Sequence, residues 1–212
     1  IINAAAFTQV DRAETDVDTA TAVNVHAPAV MAEALQGTDG VIVHYSTDYV
    51  FDGEAPNDSQ GNPRPYKESD LPNPINVYGK TKLDGEEALR SAGIPHLILR
   101  TSWVFSSTGP NFLLKILDLA CRQERLEVVS DQVGGPCFAG HLATATTQIL
   151  SLATRQNLLD FFQSSGGLFH LSVADHVSWY GFAKEIVEYA NKHDSLKVKQ
   201  IVPVDSSAFS TD

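Results

Sequence analysis

Cysteine is nearly missing from this 212-residue chain, with Cys121 and Cys137 the only two. Two thiols cannot build a disulfide framework, and neither has metal-ligand neighbours at the usual spacing. His26, His44, His141, His170, His176 and His193 are scattered without an i, i+4 pair, so no metal site is expected. Basic charge is also scarce: 15 Lys and Arg against 26 Asp and Glu give a net charge of -11. That disfavours nucleic acid as a partner, because its backbone demands a positive surface. A phosphorylated small molecule stays open, since backbone amides and a few local cations can hold phosphate. No apolar run approaches the ~20 residues that cross a bilayer, so no membrane partner is expected. The opening Ile1-Ile2-Asn3-Ala4-Ala5-Ala6 lacks the basic leader of a secretory signal. A cytoplasmic location follows as the expectation. So does a fragment: there is no initiator Met, Ile1 already reads as part of a buried strand, and 206–212 end on no structural stop.

What is present is the composition of a globular protein, 43% hydrophobic and 19% charged, long enough for one substantial core with a small lobe. Ile1 to Ala6 reads as the end of a strand. From about Asp16 to Leu35, Ala20, Val23, Ala27, Val30, Met31 and Ala34 recur at helical steps. Val41 to Tyr45 is a β-branched apolar run of the kind buried on both faces of a parallel sheet. Pro56, Pro63, Pro65, Pro72 and Pro74 exclude regular structure from a long loop, 51–77. Helices are expected over 78–91, 112–122, 141–153 and 180–192, and strands over 96–101, 126–129, 168–171 and 198–202. Alternating strands and helices predict a parallel α/β sheet with right-handed crossovers. Ligands then belong beyond the carboxyl ends of the strands, at Asn3-Ala4-Ala5-Ala6, Ser46-Thr47-Asp48 and Thr101-Ser102-Trp103.

Tyr78 and Lys82 open the helix beside those strand ends. Four residues of helix return two side chains to one face, roughly 6 Å apart along the axis. A phenol has a reference pKa of about 10, and an ammonium one turn away favours its phenolate. Such a pair suits carbonyl reduction, in which hydride reaches carbon and oxygen collects a proton. Taken alone, Tyr and Lys at this spacing more often form a solvated helix face.

The neighbouring residues change that weighting. Ser46-Thr47-Asp48-Tyr49-Val50-Phe51-Asp52-Gly53, Pro65-Tyr66-Lys67-Glu68 and Tyr78-Gly79-Lys80-Thr81-Lys82 through Gly85-Glu86 resemble the dTDP-4-dehydrorhamnose reductase family of extended short-chain dehydrogenase/reductases. Arg100-Thr101-Ser102-Trp103-Val104-Phe105 and Asp131-Gln132-Val133-Gly134-Gly135-Pro136 continue the match in order. The resemblance implies a Rossmann-like parallel sheet, truncated at its N-terminus, with a small α+β substrate-binding lobe. The dinucleotide-binding domain would span 1–130 and resume over about 142–172, with 131–141 and 173–212 as the lobe.

The activity implied is NADPH- or NADH-dependent reduction of the 4-keto group of dTDP-4-dehydro-L-rhamnose to dTDP-L-rhamnose. By position, Tyr78 would be the general acid, Lys82 would hold the nicotinamide ribose and lower the phenol pKa, and Thr47 would bond the same oxygen. Ala6, Phe7, Thr8 and Tyr45, with Tyr78 and Lys82, fall at cofactor positions. Ser46, Thr47, Asp48 and Trp103 fall at substrate positions. The resemblance leaves Mg2+ and a homodimer open. It departs from the family at Cys137 and His141, and in having no Gly-x-x-Gly-x-x-Gly to cradle a pyrophosphate. Two other readings stand beside it. One is a nucleotide-sugar epimerase or dehydratase, which shares Tyr-x-x-x-Lys. The other is a non-catalytic subunit related to the regulatory subunit of methionine adenosyltransferase.

Overall fold

In a computed structural model of the chain, which describes residues 1–209, the elements follow in the order β1 (Ile2–Asn3), α1 (Val10–Ala13), α2 (Val17–Thr21), a π-helical turn (Ala22–His26) and α3 (Ala27–Leu35). Next come β2 (Ile42–Thr47), a 3-10 turn (Asp48–Val50), α4 (Val77–Ser91), β3 (His96–Thr101) and β4 (Val104–Phe105). Then come α5 (Phe112–Arg122), β5 (Arg125–Val129), β6 (Val133–Gly134), β7 (Cys137–Phe138), α6 (Ala139–Gln156) and α7 (Leu158–Ser165). The chain closes through β8 (Gly167–His170), β9 (Val177–Ser178), α8 (Trp179–Ala190) and β10 (Gln200–Val204). Residues 210–212, the end of the expected lobe, lie outside the described residues.

Two compact units divide the chain, 1–101 with 146–171 and 102–145 with 172–212. The first is a Rossmann-like α/β unit with a parallel sheet in the order β1-β2-β3-β8. Ile2 pairs with Val43, Tyr45 with Leu99, and Thr47 with Thr101, so the carboxyl ends of β1, β2 and β3 share one side. Residues alternate between the two faces of a strand. Ile42 and Ile98 pack under Ala32, Leu89 and Ile94, while Val41, Val43, Leu97 and Leu99 pack against Ala153 and Phe162. Both faces are covered, which is why these strands read as continuous apolar runs.

The long loop, which ends at Asn76 because α4 begins one residue earlier than expected, carries no helix or named strand, only an isolated bridge between Asn57 and Pro63. It is fastened by side chains instead. Tyr66 donates to Asp52 and stacks on Phe51 at 4.1 Å, and Arg64 forks onto Asp70 with two bonds of 2.7 Å. Glu68 accepts from the His170 backbone amide at 2.8 Å, which ties the loop to β8.

The second unit has its own core. Ile116 and Ala120 of α5 meet Leu126 and Val128 of β5, Ala183, Ile186 and Val187 of α8, and Val198. β5 and β10 form a separate two-stranded parallel ladder, and β6 pairs with β9 antiparallel. Two expectations are corrected here. The strands around 126–129 and 198–202 do not join the main sheet. Residues 102–130 leave the first unit at Ser102, because the apolar face of α5 is buried by α8 and β5 rather than by the sheet.

The helix expected over 16–35 is also divided. A π-helical turn interrupts it where the Asn24 side chain accepts from Phe7 N at 2.9 Å and donates to Phe7 O and Thr81 Oγ1, each at 3.1 Å. One extra residue in the turn directs Asn24 inward, and such bulges recur at functional sites.

Candidate active site

Helix α4 is held against the strand ends by features legible in its first turns. Asn76 caps it, accepting from Gly79 N at 2.7 Å. A Cβ at residue 79 would run into the Tyr49 carbonyl, and one at residue 85 into the Asn24 carbonyl. Glycine at both places lets α4 press directly on the 3-10 turn and the π-helical turn. Tyr78 is buried among Ala13, Ala20, Phe7, Val10, Tyr49 and Val77, with the Tyr49 ring edge-on at 5.5 Å.

Thr47 closes β2. Its hydroxyl accepts from Tyr49 N at 3.2 Å and donates to Asp48 Oδ1 at 3.2 Å. Burial pushes the Tyr78 phenol up to about 12; a hydrogen bond with Thr47 pulls the other way, and the charge of Asp48 adds to the rise. Burial likewise raises the Asp48 carboxyl to about 6, opposed by the Thr47 hydroxyl. The Thr47 hydroxyl is thus close enough to the phenol to bear on its proton. The expected lowering of the phenol by Lys82 is not what the structure contains. Lys82 is not among the groups that shift Tyr78, and desolvation of the phenol dominates.

Lys82 is 1% exposed, the largest fully buried side chain of the described residues. Its Nζ donates to Tyr45 O at 2.7 Å and lies 3.3 Å from His44 Nε2. Burial lowers it to about 8, against the raising effect of Glu86 one turn further along α4. Tyr45 thus meets the lysine through its carbonyl, while its hydroxyl is 2.6 Å from Thr146 Oγ1. Thr101 Oγ1, at the neighbouring strand end, is buried without a partner.

Ser46 is a correction. It shares with Ile42 and His44 the face under α4, and its hydroxyl donates to Glu86 Oε1 at 2.5 Å. Arg100 holds the same carboxylate through Nε at 2.9 Å and Nη2 at 2.7 Å. The hydroxyl expected to meet substrate is consumed by a buried ion pair, because adjacent strand residues point to opposite faces. Neither Glu86, Arg100 nor Asn24 was singled out from sequence as a site residue. The available signal was the i+4 spacing of Glu86 from Lys82.

The other expected positions divide between the units. Phe7 packs on the Tyr78 cluster, with both backbone polar groups held by Asn24. Ala6 is half-buried and Thr8 exposed. Trp103 belongs to the second unit, where its indole stacks on Trp179 at 3.4 Å and 8°. Among the described residues it is the one non-glycine with positive φ, at 43°, a conformation that persists only when its surroundings hold it. Gly134 leaves room for the ring, since a Cβ there would strike the indole. Among the described residues no group of three His, Cys, Asp or Glu could hold a metal ion, so Mg2+ finds no ligand cluster. No helix among them is long and apolar enough to cross a membrane.

Comparison with known proteins shows the family. The family model described as RmlD substrate binding domain matches residues 1–212. The dTDP-4-dehydrorhamnose reductase of Burkholderia thailandensis is 41% identical over 99% of this chain and 68% of its own length. That of Salmonella typhimurium is 37% identical over 100% and 67%. A crystal structure of the Bacillus anthracis dTDP-4-dehydrorhamnose reductase in complex with NADP superimposes with a TM-score of 0.83 at 34% identity, over 100% of this chain and 67% of that one. The chain spans about two thirds of the length of these relatives. It belongs to the dTDP-4-dehydrorhamnose reductase family of oxidoreductases.

Proposed function

We propose that this chain carries the acid/base centre of an enzyme that reduces the C4 carbonyl of dTDP-4-dehydro-L-rhamnose to give dTDP-L-rhamnose, in the cytosol. The observation that carries the reading is that Thr47 ends a parallel strand beside the buried Tyr78, with Lys82 buried one turn further along the same helix.

Tyr78 gives its phenolic proton to the C4 oxygen, and the nearby Thr47 hydroxyl would turn its single proton from Asp48 Oδ1 to the same oxygen. Donors aimed in advance at an oxygen gaining charge need little reorganisation as it forms. A phenol pushed up to about 12 keeps its proton until an alkoxide of higher basicity is there to take it. Asp48 is the sugar contact we assign in the first unit; in the second, Trp103 offers a ring face braced by Trp179.

A nicotinamide cofactor, when bound, supplies the hydride. The donor set fits its ribose: Lys82 has two protein partners and donor capacity left over, and Ala4 and Ala5 after the first strand are small and exposed. Tyr45, Ala6, Phe7 and Thr8 are the further cofactor contacts we assign. The NADP in the Bacillus anthracis relative supports the phosphorylated form, NADPH, over NADH.

The test is stoichiometric. The full-length protein given the 4-keto sugar should oxidise one NADPH per sugar reduced. Turnover without net cofactor oxidation would replace this reading with an epimerase, and no turnover with either cofactor would contradict it.

A further inference from the structure

Three buried groups, Asn3, His44 and Lys82, form a chain. Asn3 is 3% exposed and His44 is 1% exposed. Asn3 pairs with His44 across β1 and β2, so the two side chains lie next to each other on the face that α4 covers. The donor and acceptor accounting in this chain is constrained at one end by the backbone.

The Ala5 N–H donates to Asn3 Oδ1 at 3.1 Å. A backbone N–H can only donate, so the oxygen of the Asn3 amide must face Ala5 and its nitrogen must face the other way. That nitrogen lies 3.0 Å from His44 Nδ1. An amide nitrogen also only donates, so Nδ1 presents a lone pair. Burial and the neighbouring Lys82 hold the imidazole neutral, lowering it to about 3. A neutral imidazole carries one proton, and here it must sit on Nε2. The partner of Nε2 is Lys82 Nζ at 3.3 Å.

We propose that Asn3 and His44 form a tautomer lock that presents an imidazole N–H, rather than a lone pair, to the Lys82 nitrogen, which makes His44 a positioning residue of the site. The lock is satisfied when Lys82 is an amine: Nζ accepts from Nε2–H, donates to Tyr45 O and retains one N–H for a ligand. An ammonium in the same place would set donor against donor, or force the His44 tautomer to change and the Asn3 amide to turn its nitrogen on Ala5. Lys82 is therefore equipped to give up a proton, not only to act as a permanent cation. The other groups around it do not reverse this. Glu86 on α4 favours the ammonium but shares its carboxylate with Arg100 of β3 and Ser46 of β2. Asp48 and Tyr49 act on Tyr78.

The part played in turnover rests on the reductase reading, whereas the lock itself does not, and its test is spectroscopic. In protein labelled with 15N-histidine, with the His44 signals assigned by their loss in His44→Phe, Nδ1 should resonate as unprotonated and Nε2 as protonated at about pH 9, above the value near 8 at which Lys82 becomes an amine. A protonated Nδ1 overturns the lock whatever the enzyme reduces. Asn3→Asp places only acceptors opposite Nδ1 and should reverse the tautomer. With Nε2 then a lone pair, the Lys82 titration, followed through a 15Nζ-lysine label, should move up by about one pH unit or more. Asn3→Leu adds no charge and should leave the two tautomers mixed, with a smaller upward move. A reversed tautomer with an unmoved Lys82 titration would separate the lysine from the lock and refute the proposal.

Discussion

The interiors of the two units are built on different terms. The second unit buries Ile116, Ala120, Leu126, Val128, Ala183, Ile186, Val187 and Val198 against one another. Its ion pairs, Arg122–Asp118, Arg125–Glu127 and Lys199–Glu124, stay on the surface with side chains 51–73% exposed. The first unit encloses charge. Lys82, Glu86 and Arg100 are each at most 4% exposed, beside Asn3, His44, Ser46 and Thr47. Apolar burial explains the second interior by itself. In the first, desolvating three ionisable groups opposes folding, and the arrangement makes sense only as a device that aims α4 at the ends of β2 and β3.

The largest effect expected from this contrast is at Glu86. Glu86→Ala leaves Arg100 buried without its counter-charge and should lower unfolding free energy by about 3–5 kcal/mol in denaturant titrations. Next is the burial of Lys82. Its folded value near 8 lies below the ordinary 10.5, so below pH 8 both folded and unfolded states hold the proton and the penalty is present in full. Between about 8 and 10.5 the folded state releases the proton first, and stability should rise with pH by about 3 kcal/mol in all. Lys82→Met should flatten that slope. Smallest is the surface pair of the second unit. Lys199→Ala should change stability by about 1 kcal/mol or less, and a loss as large as that from Glu86→Ala would erase the distinction between the two interiors.

The parts of this architecture that local chemistry dictates were readable in advance. His96–Thr101 and Phe112–Arg122 form with the expected bounds, the first a buried β-branched and leucine run, the second an apolar period opened by the Asn111 cap. Tyr78, Lys82 and Thr47 are assigned to the site through spacing and resemblance. What stayed hidden depends on distant partners. The helical period runs unbroken through Ala22–His26, and only the bonds from Asn24 to Phe7 and Thr81 produce the π-helical turn there. Ser46 and Thr47 are both hydroxyls at a strand end, and the side chain that claims Ser46 comes from 40 residues away. Leu158–Ser165 is a helix outside the expected set, and its Phe162 packs in the core. The changeover at Ser102 follows from where α5 finds an apolar face, which no local pattern announces.

The central claim is that Tyr78 is the proton donor of the site, and its turnover tests that most directly. Tyr78→Phe keeps the ring that fills the cluster with Ala13 and Ala20 and removes only the hydroxyl. In the full-length protein, kcat for reduction of the 4-keto sugar should fall about 100- to 10,000-fold with the fold intact. Turnover within a few-fold of the parent protein would contradict the account.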